Sequence, residues 1–303
     1  MMISLRGVSK RFRDLKAVDQ IELNIAEGEI FGLVGPDGAG KTTTIRMILG
    51  LINPNAGEIF VLGERKLDKI KSHIGYVPQK FSLYGDLTVI ENIRFIGAMY
   101  GASRNKIASL AEEILTFTNL IQFKDRLAAQ LSGGMKQKLA LAAGLMHKPK
   151  IFFLDEPTTG VDPVSRREFW QMLYKLNREG MTIIVSTPYM DEAELCTKIA
   201  FMNQGKIVTC DTPKGLKATY PYKLLELAAP SKSIRTYLHN CPGLVDINAF
   251  GEKYHLVVND PQETAPVIKE VLSTAGIPVL SLNQISPNME DIFVALAGEV
   301  VMQ

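Results

Sequence analysis

The sequence predicts an α/β core followed by a small α+β appendage, and three observations carry that prediction. A glycine-rich stretch, Gly35-Pro36-Asp37-Gly38-Ala39-Gly40-Lys41-Thr42, sits between the apolar run Ile30-Phe31-Gly32-Leu33-Val34 and a helical pattern from Thr43 to Leu49. Two more apolar runs, Ile151-Phe152-Phe153-Leu154 and Met181-Thr182-Ile183-Ile184-Val185-Ser186, flank the helical stretch Ser165 to Arg178. Continuous apolar runs are what a parallel sheet covered on both faces demands, and strands alternating with helices place those helices on both faces. Beyond Pro213 the character shifts to short elements punctuated by turn signals.

Taken in order, Ile3 to about Leu62 alternates apolar and polar residues, with turns at Glu27-Gly28-Glu29 and Asn53-Pro54-Asn55-Ala56-Gly57, as strands flanking the glycine-rich loop and its helix would. From about Leu87 to Gly144 the period becomes helical, with Ile90, Ile93 and Phe95, then Leu110, Ile114 and Leu115, on apolar faces. This predicts a helical insert. The appendage reads as a strand Leu224 to Leu227, a helix near Ile234 to His239, a strand Tyr254 to Val258, a helix Ala265 to Leu272 and a strand Val279 to Leu282. Turns are expected at Pro221, Ala229-Pro230-Ser231 and Pro242-Gly243.

Composition narrows the function classes. At 303 residues and 46% hydrophobic the chain can bury about two cores. A formal net charge of +2, with no basic run, gives no electrostatic basis for nucleic-acid binding. The three cysteines, Cys196, Cys210 and Cys241, have no CxxC spacing, so neither a disulfide framework nor a zinc site is indicated. No signal peptide opens the chain and its longest apolar stretches, such as Leu139 to Met146, are far too short for a membrane span. The expectation is a soluble protein, free to dock on a membrane protein.

The chemistry begins at the glycine-rich stretch. Glycines at 35, 38 and 40 let successive N–H groups point into one concavity, to which the following helix adds its positive end. Lys41 would reach the β- and γ-phosphates of a nucleoside triphosphate, and the Thr42 hydroxyl would ligate Mg²⁺. Asp155 and Glu156 lie where the strand Ile151 to Leu154 ends, the edge at which α/β proteins place ligands. Asp155 is expected to hold Mg²⁺, directly or through water, and Glu156 to polarise the water that attacks the γ-phosphate. In Leu131-Ser132-Gly133-Gly134-Met135-Lys136-Gln137, a serine and two glycines open the helix from Met135 to Leu145, a second anion site.

With LSGGMKQ in place, the chain resembles the ATP-binding subunits of ABC transporters, whose signature is LSGGxxQ. The resemblance implies a P-loop NTPase (RecA-like) core with a helical ABC subdomain at about 85–145, the ATP-binding domain over residues 1–216, and a C-terminal α+β extension of exporter type over 217–303. It implies that Gly35 to Thr43, including Pro36, Asp37, Ala39 and Thr43, cradle ATP and that Lys41 serves catalysis. Phe12 takes the adenine-stacking position, and Gln79, in Tyr76-Val77-Pro78-Gln79, touches Mg²⁺ and the insert. Ser132, Gly133, Gly134 and Gln137 would face the nucleotide of a second cassette, and Val161-Asp162, after Pro157-Thr158-Thr159-Gly160, would be the loop through which two protomers communicate. Phe81 to Asp86 would border the groove for a membrane subunit, or simply cap a loop. Pro287 to Leu296 resembles the tail of the drug and antibiotic exporter (ABC-2) branch, or is a plain amphipathic terminal helix.

The pattern breaks at Val185-Ser186-Thr187-Pro188-Tyr189-Met190, where the family carries a histidine at the position of Pro188. Proline has no imidazole and no N–H, and losing one such donor costs about 3 kcal/mol in the transition state. A purely structural account also fits: Thr187 caps a helix and Pro188 takes its first position. Asp37 stands where asparagine is commoner, which is harmless if it points away from the phosphates. The expectation is therefore an ATPase subunit of an exporter that binds Mg·ATP and hydrolyses it slowly. It would lie at the inner face of the cell membrane, beside separate integral-membrane permease subunits. A heterodimer with a complete ABC ATPase is favoured and a homodimer is the runner-up. A cytosolic ABC-type ATPase unconnected to transport and a non-hydrolysing regulatory scaffold are the rival classes.

Overall fold

Residues 1–65, 67–230 and 233–301 are described by a computed structural model, in which side chains are described up to residue 296 and not at residue 67. The chain divides into two units, one made mainly of Met1–Pro213 and the other of Lys214–Glu299.

The first unit opens with β1 (Ile3–Phe12) and β2 (Leu15–Ile25), an antiparallel hairpin that buries Ile3, Leu5 and Val8 of β1, with a register shift between Leu5 and Val8. Then come β3 (Ile30–Val34), α1 (Lys41–Ile48) and β4 (Ala56–Val61). β4 returns to pair with β1, giving a three-stranded antiparallel sheet in the order β2-β1-β4. After β5 (Ile74–Val77) the helical insert follows as α2 (Val89–Met99), α3 (Arg104–Phe117) and α4 (Gly133–Leu145). Thr88 and Glu91 form a reciprocal capping box that starts α2. The chain then runs through β6 (Ile151–Asp155), α5 (Pro163–Arg178), β7 (Thr182–Thr187), the short α6 (Met190–Ala193), β8 (Lys198–Asn203) and β9 (Lys206–Asp211).

A six-stranded sheet has the order β5-β6-β7-β3-β8-β9, parallel except for β9 at its edge. Every residue of β3, β6 and β7 is buried, so these strands can only be apolar along their length until the polar residues at their ends. The register decides where function can lie. Val34 pairs with Thr187, Asp155 with Ser186 and Val77 with Leu154, so β3, β7, β6 and β5 all end on one edge. The loops leaving that edge carry Gly35 to Gly40, Pro188, Glu156 and Gln79.

The second unit is an antiparallel sheet with helices. Here α7 (Pro213–Thr219) leads to β10 (Lys223–Ala228), α8 (Ile234–Leu238), β11 (Leu244–Phe250), β12 (Lys253–Val258), α9 (Pro261–Thr274), β13 (Ser281–Ile285) and α10 (Met289–Val301). The sheet order is β11-β12-β10-β13. Leu225, Leu227, Leu256 and Val258 pack with Ile234, Leu238, Ile268 and Leu272 in one core. His255 Nδ1 and Asp291 Oδ1 lie 2.7 Å apart, tying α10 to the sheet. The expected strand at Val279 to Leu282 instead runs from Ser281 to Ile285, because its partner β10 ends at Ala228, the residue that pairs with Ser281. β5, β8, β9 and β11 are strands beyond those expected. No helix among the described residues is long and apolar enough to cross a membrane.

Candidate functional site

The glycine-rich loop is held by backbone that excludes any larger residue. A Cβ on Gly35 would lie 2.0 Å from the Met202 carbonyl oxygen, and one on Gly40 2.4 Å from that of Ala17, at a φ of +106. Gly40 then caps α1, so the free N–H groups of its first turn open toward the loop. Pro36, Asp37 and Gly38 are exposed, Ala39 is buried, and Thr42 and Thr43 are half-buried.

Lys41 is only 3% exposed, and its ammonium donates to the carbonyls of Gly35 at 2.8 Å and Pro36 at 3.0 Å. It lies 3.3 Å from Glu156 Oε1. The other oxygen of Glu156, Oε2, accepts from Gln79 Nε2 at 2.7 Å and from Thr159 Oγ1 at 3.5 Å. Glu156 has a left-handed backbone, φ +50, rare for a residue with a Cβ and typical of strain kept where a site needs it. Its N–H donates to Ser186 O and Oγ at 3.1 and 3.0 Å, which holds that turn in place.

Asp155, fully buried, receives Thr42 Oγ1 at 3.0 Å and Ser186 Oγ at 2.6 Å, both on Oδ1. Its Oδ2 is buried without a hydrogen-bond partner. A buried carboxylate oxygen left without a donor fits a hard cation. So does the chemistry of the set: one carboxylate with hydroxyl and amide oxygens suits Mg²⁺ shared with phosphates rather than a protein-only cage. Among the described residues there is no cluster of three or more His, Cys, Asp or Glu that could hold a metal.

The other predicted residues fall into place separately. Ser132 is the N-cap of α4, its Oγ accepting from Met135 N–H at 3.3 Å; Ser132 and Gly133 are exposed. A Cβ on Gly134 would meet Ser165 Cβ and Oγ at 2.7 Å, so the start of α4 can lie against α5 only because it is glycine. Among the described residues no hydrogen bond or ion pair joins Ser132, Gly133, Gly134 or Gln137 to Lys41, Thr42, Asp155 or Glu156. Asp162 caps α5 through Ser165 N–H at 2.9 Å, and those hydrogen bonds hold its carboxyl below the usual range. Phe12 is 45% exposed, with the Lys10 ammonium 5.2 Å from its ring centre.

At Pro188 the structural expectation needs correcting. Thr187 ends β7 rather than capping a helix, and α6 starts only at Met190, with Tyr189 before it. The Thr187 hydroxyl instead donates to Glu192 Oε2 at 2.6 Å while accepting from Tyr189 N–H at 3.1 Å. That competing bond pulls the chain into a bend, so Pro188 precedes the helix instead of opening it. Ser186 and Glu192 were not marked by the sequence. The visible signal for Ser186 was a hydroxyl closing an apolar strand; Glu192 offered none.

Among the clefts of the described residues, two are lined by residues of the helical insert. One of about 500 Å³, lined by Leu110, Phe117, Leu145 and Leu176, sits by Lys150 and Met181, at the opposite ends of β6 and β7. Another, of about 310 Å³, lies between Tyr76–Pro78 and the insert, lined by Ser82, Leu83, Ile96, Met99, Tyr100 and His147. Tyr84 and Phe95, edge to face at 5.1 Å, are both exposed.

Comparison with known proteins matches residues 18–159 to the family model described as ABC transporter. The chain is 40% identical, over 98% of its length, to the probable multidrug ABC transporter ATP-binding protein YbhF of Escherichia coli (strain K12), and spans about half, 52%, of that protein. It is 35% identical to the Nod factor export ATP-binding protein I of Burkholderia lata, covering 98% of this chain and 97% of that one. Among solved structures, the dimeric structure of MJ0796, a bacterial ABC transporter cassette, superposes with a TM-score of 0.64 at 30% identity, over 70% of this chain and 98% of that one.

Proposed function

The chain belongs to the ABC transporter ATP-binding family, and from that premise we propose that it is the ATP-hydrolysing subunit of an exporter, with a slow site of its own. The observation that carries the reading is the meeting of Lys41 and Thr42, which follow β3, with Asp155 and Glu156, at the end of β6, at the mouth of a phosphate loop. Export is supported by the names of the two relatives above, one for multidrug transport and one for Nod factor export.

The ligand-free arrangement suggests how the residues act. Lys41, turned onto two carbonyls of its own loop and onto Glu156, is a cation held where the β- and γ-phosphates of ATP would replace those oxygens. Freed of that ion pair, Glu156 has a carboxylate oxygen to accept a proton from water, while Gln79 keeps its other oxygen oriented. Thr42, Asp155 and the Gln79 carbonyl would hold Mg²⁺, which when bound offsets charge on the phosphates. Phe12 offers an exposed ring to the adenine. Pro188 offers nothing to the γ-phosphate, and the rate is low for that reason.

The open start of α4 supports pairing with a second cassette. Ser132, Gly133 and Gly134 form an open helix start that is not bonded to the chain's own site, as needed to close over a nucleotide held by another chain. Pro188 favours a partner cassette with an intact site over a second copy. Membrane permease subunits would bind the cleft beside Tyr84, Phe95 and Tyr100, and the chain would then lie peripherally at the inner face of the membrane. The test is phosphate release from Mg·ATP by the purified chain. Slow release that Glu156→Gln removes supports the reading; release that Glu156→Gln leaves unchanged contradicts it.

A further inference from the structure

Glu192, four residues beyond Pro188 on α6, has a fully buried side chain. A carboxylate with no exposure persists only where donors surround it, and here they come from three directions. Thr158 Oγ1 donates to Oε1 at 2.6 Å and Trp170 Nε1 at 3.2 Å. Thr187 Oγ1 donates to Oε2 at 2.6 Å, and Arg166 Nε lies 3.6 Å from Oε1. Trp170 and Arg166 anchor the carboxylate to α5. The two threonines stand next to the chemistry. Thr158 follows Glu156 by two residues, in the segment whose left-handed turn aims Glu156 at Lys41. Thr187 accepts the Gly35 N–H on its carbonyl at 3.2 Å, at the root of the phosphate loop.

One carboxylate therefore fastens the segment bearing Glu156 to the strand end beneath the phosphate loop. We propose that Glu192 is a positioning residue for hydrolysis: by holding Thr158 to Thr187 it keeps Glu156 aimed at the γ-phosphate site, a link that Pro188 cannot make. The inference rests on reading this chain as an ATPase. Among the described residues Glu192 makes no bond to Lys41, Thr42, Asp155 or Glu156, so it acts through Thr158.

The test compares single-turnover hydrolysis of Mg·ATP, affinity for a fluorescent ATP analogue, and melting temperature across the wild type, Glu192→Ala, Glu192→Gln, Thr158→Val and Trp170→Phe. Glu192→Ala and Thr158→Val should each slow the chemical step by about tenfold or more, since small misplacements of a reacting group are costly. Analogue affinity should stay within about twofold, because ground-state contacts are untouched. The double variant should be no slower than the worse single one, as expected when two changes break one link. Glu192→Gln keeps an oxygen for Thr158 and Trp170 and should restore the rate to within about threefold. Trp170→Phe, which removes a donor from the same carboxylate without touching Thr158, should lower the melting temperature and leave the rate intact. If Glu192→Ala does not fold, Thr158→Val and Glu192→Gln carry the comparison. Hydrolysis that depends on Glu156 but not on Glu192 or Thr158 overturns the inference alone, as do losses that multiply in the double variant or a rate loss in Trp170→Phe equal to that in Glu192→Ala. Hydrolysis indifferent to Glu156→Gln overturns the ATPase reading first, and the inference with it.

Discussion

Replacing Asp155 by asparagine should stabilise the ligand-free protein while weakening its response to Mg·ATP. Asp155 is fully buried, with two hydroxyl donors on Oδ1 and none on Oδ2. The Lys41 ammonium, the cation at the site, is 3.3 Å from Glu156 and is already committed to it. Taking a carboxylate out of water costs several kcal/mol, and two charge-assisted hydrogen bonds return roughly 1.5–3 kcal/mol each. Asparagine keeps one oxygen for Thr42 and Ser186, in weaker neutral hydrogen bonds, and sets an uncharged NH2 where Oδ2 stood, whose unpaired burial offsets part of the desolvation relieved. The net gain for the empty site is about 1–2 kcal/mol, or roughly 2–4 °C in melting temperature per kcal/mol for a unit of this size. At a hundred times its dissociation constant, Mg·ATP should stabilise the wild type by about 2.7 kcal/mol, and the variant by clearly less. Thermal unfolding with and without Mg·ATP measures both. A ligand-free variant that melts below the wild type, or one that gains as much from Mg·ATP, refutes the reasoning.

Pro188→His should raise turnover by more than about tenfold with little change in ATP affinity, because the added donor acts on the transition state; steady-state kinetics on a folded variant checks it, and an unchanged rate sinks it. In membranes containing the assembled transporter, Ser132→Arg should abolish most turnover and Glu156→Gln should reduce it much less, on the proposal that Ser132 serves the partner's site; comparable losses would indicate two equivalent sites and a homodimer. Burial pushes the His147 imidazole below its ordinary value, outweighing the hydrogen bond to Ile74 that pulls it up. Its Nε2–H donates to Ile74 O at 2.9 Å, Nδ1 is buried without a partner, and the ring stacks on Tyr100 at 3.9 Å. The unfolded chain therefore binds a proton first, and stability contributed above the ordinary value of about 6.5 is lost as pH falls toward the lower folded value. The drop in melting temperature below that pH should be shallower in His147→Gln, and an identical slope would contradict the assignment.

Much of the site was legible because its constraints are local. Gly35 and Gly40 must be glycine where a Cβ would strike the Met202 and Ala17 carbonyls, and Asp155 and Glu156 break the apolar run Ile151 to Leu154 at its end. The start of α4 was legible for the same reason, since Ser132 caps and Gly134 must let α5 approach. What was not legible depends on register between distant strands. Ser186 meets Asp155 only because β6 and β7 pair with those two residues side by side. Glu192 meets Thr158 because α6 folds back onto the turn after β6, and Thr187 spends its hydroxyl on Glu192 instead of capping a helix. The antiparallel sheet of β2, β1 and β4 showed as alternation, but which strands it joined did not. Edge strands such as β9, half-exposed along most of their length, leave too weak a pattern to read.

The loop ending in Lys41 should bind the phosphates of ATP, and titrating a fluorescent ATP analogue with Mg²⁺ onto the wild type and onto Lys41→Ala measures that binding. Lys41→Ala should lose most of the affinity, since it removes the buried cation that meets the phosphates and leaves Glu156, 6% exposed, facing them without its partner. Equal affinity for the two proteins would contradict the account.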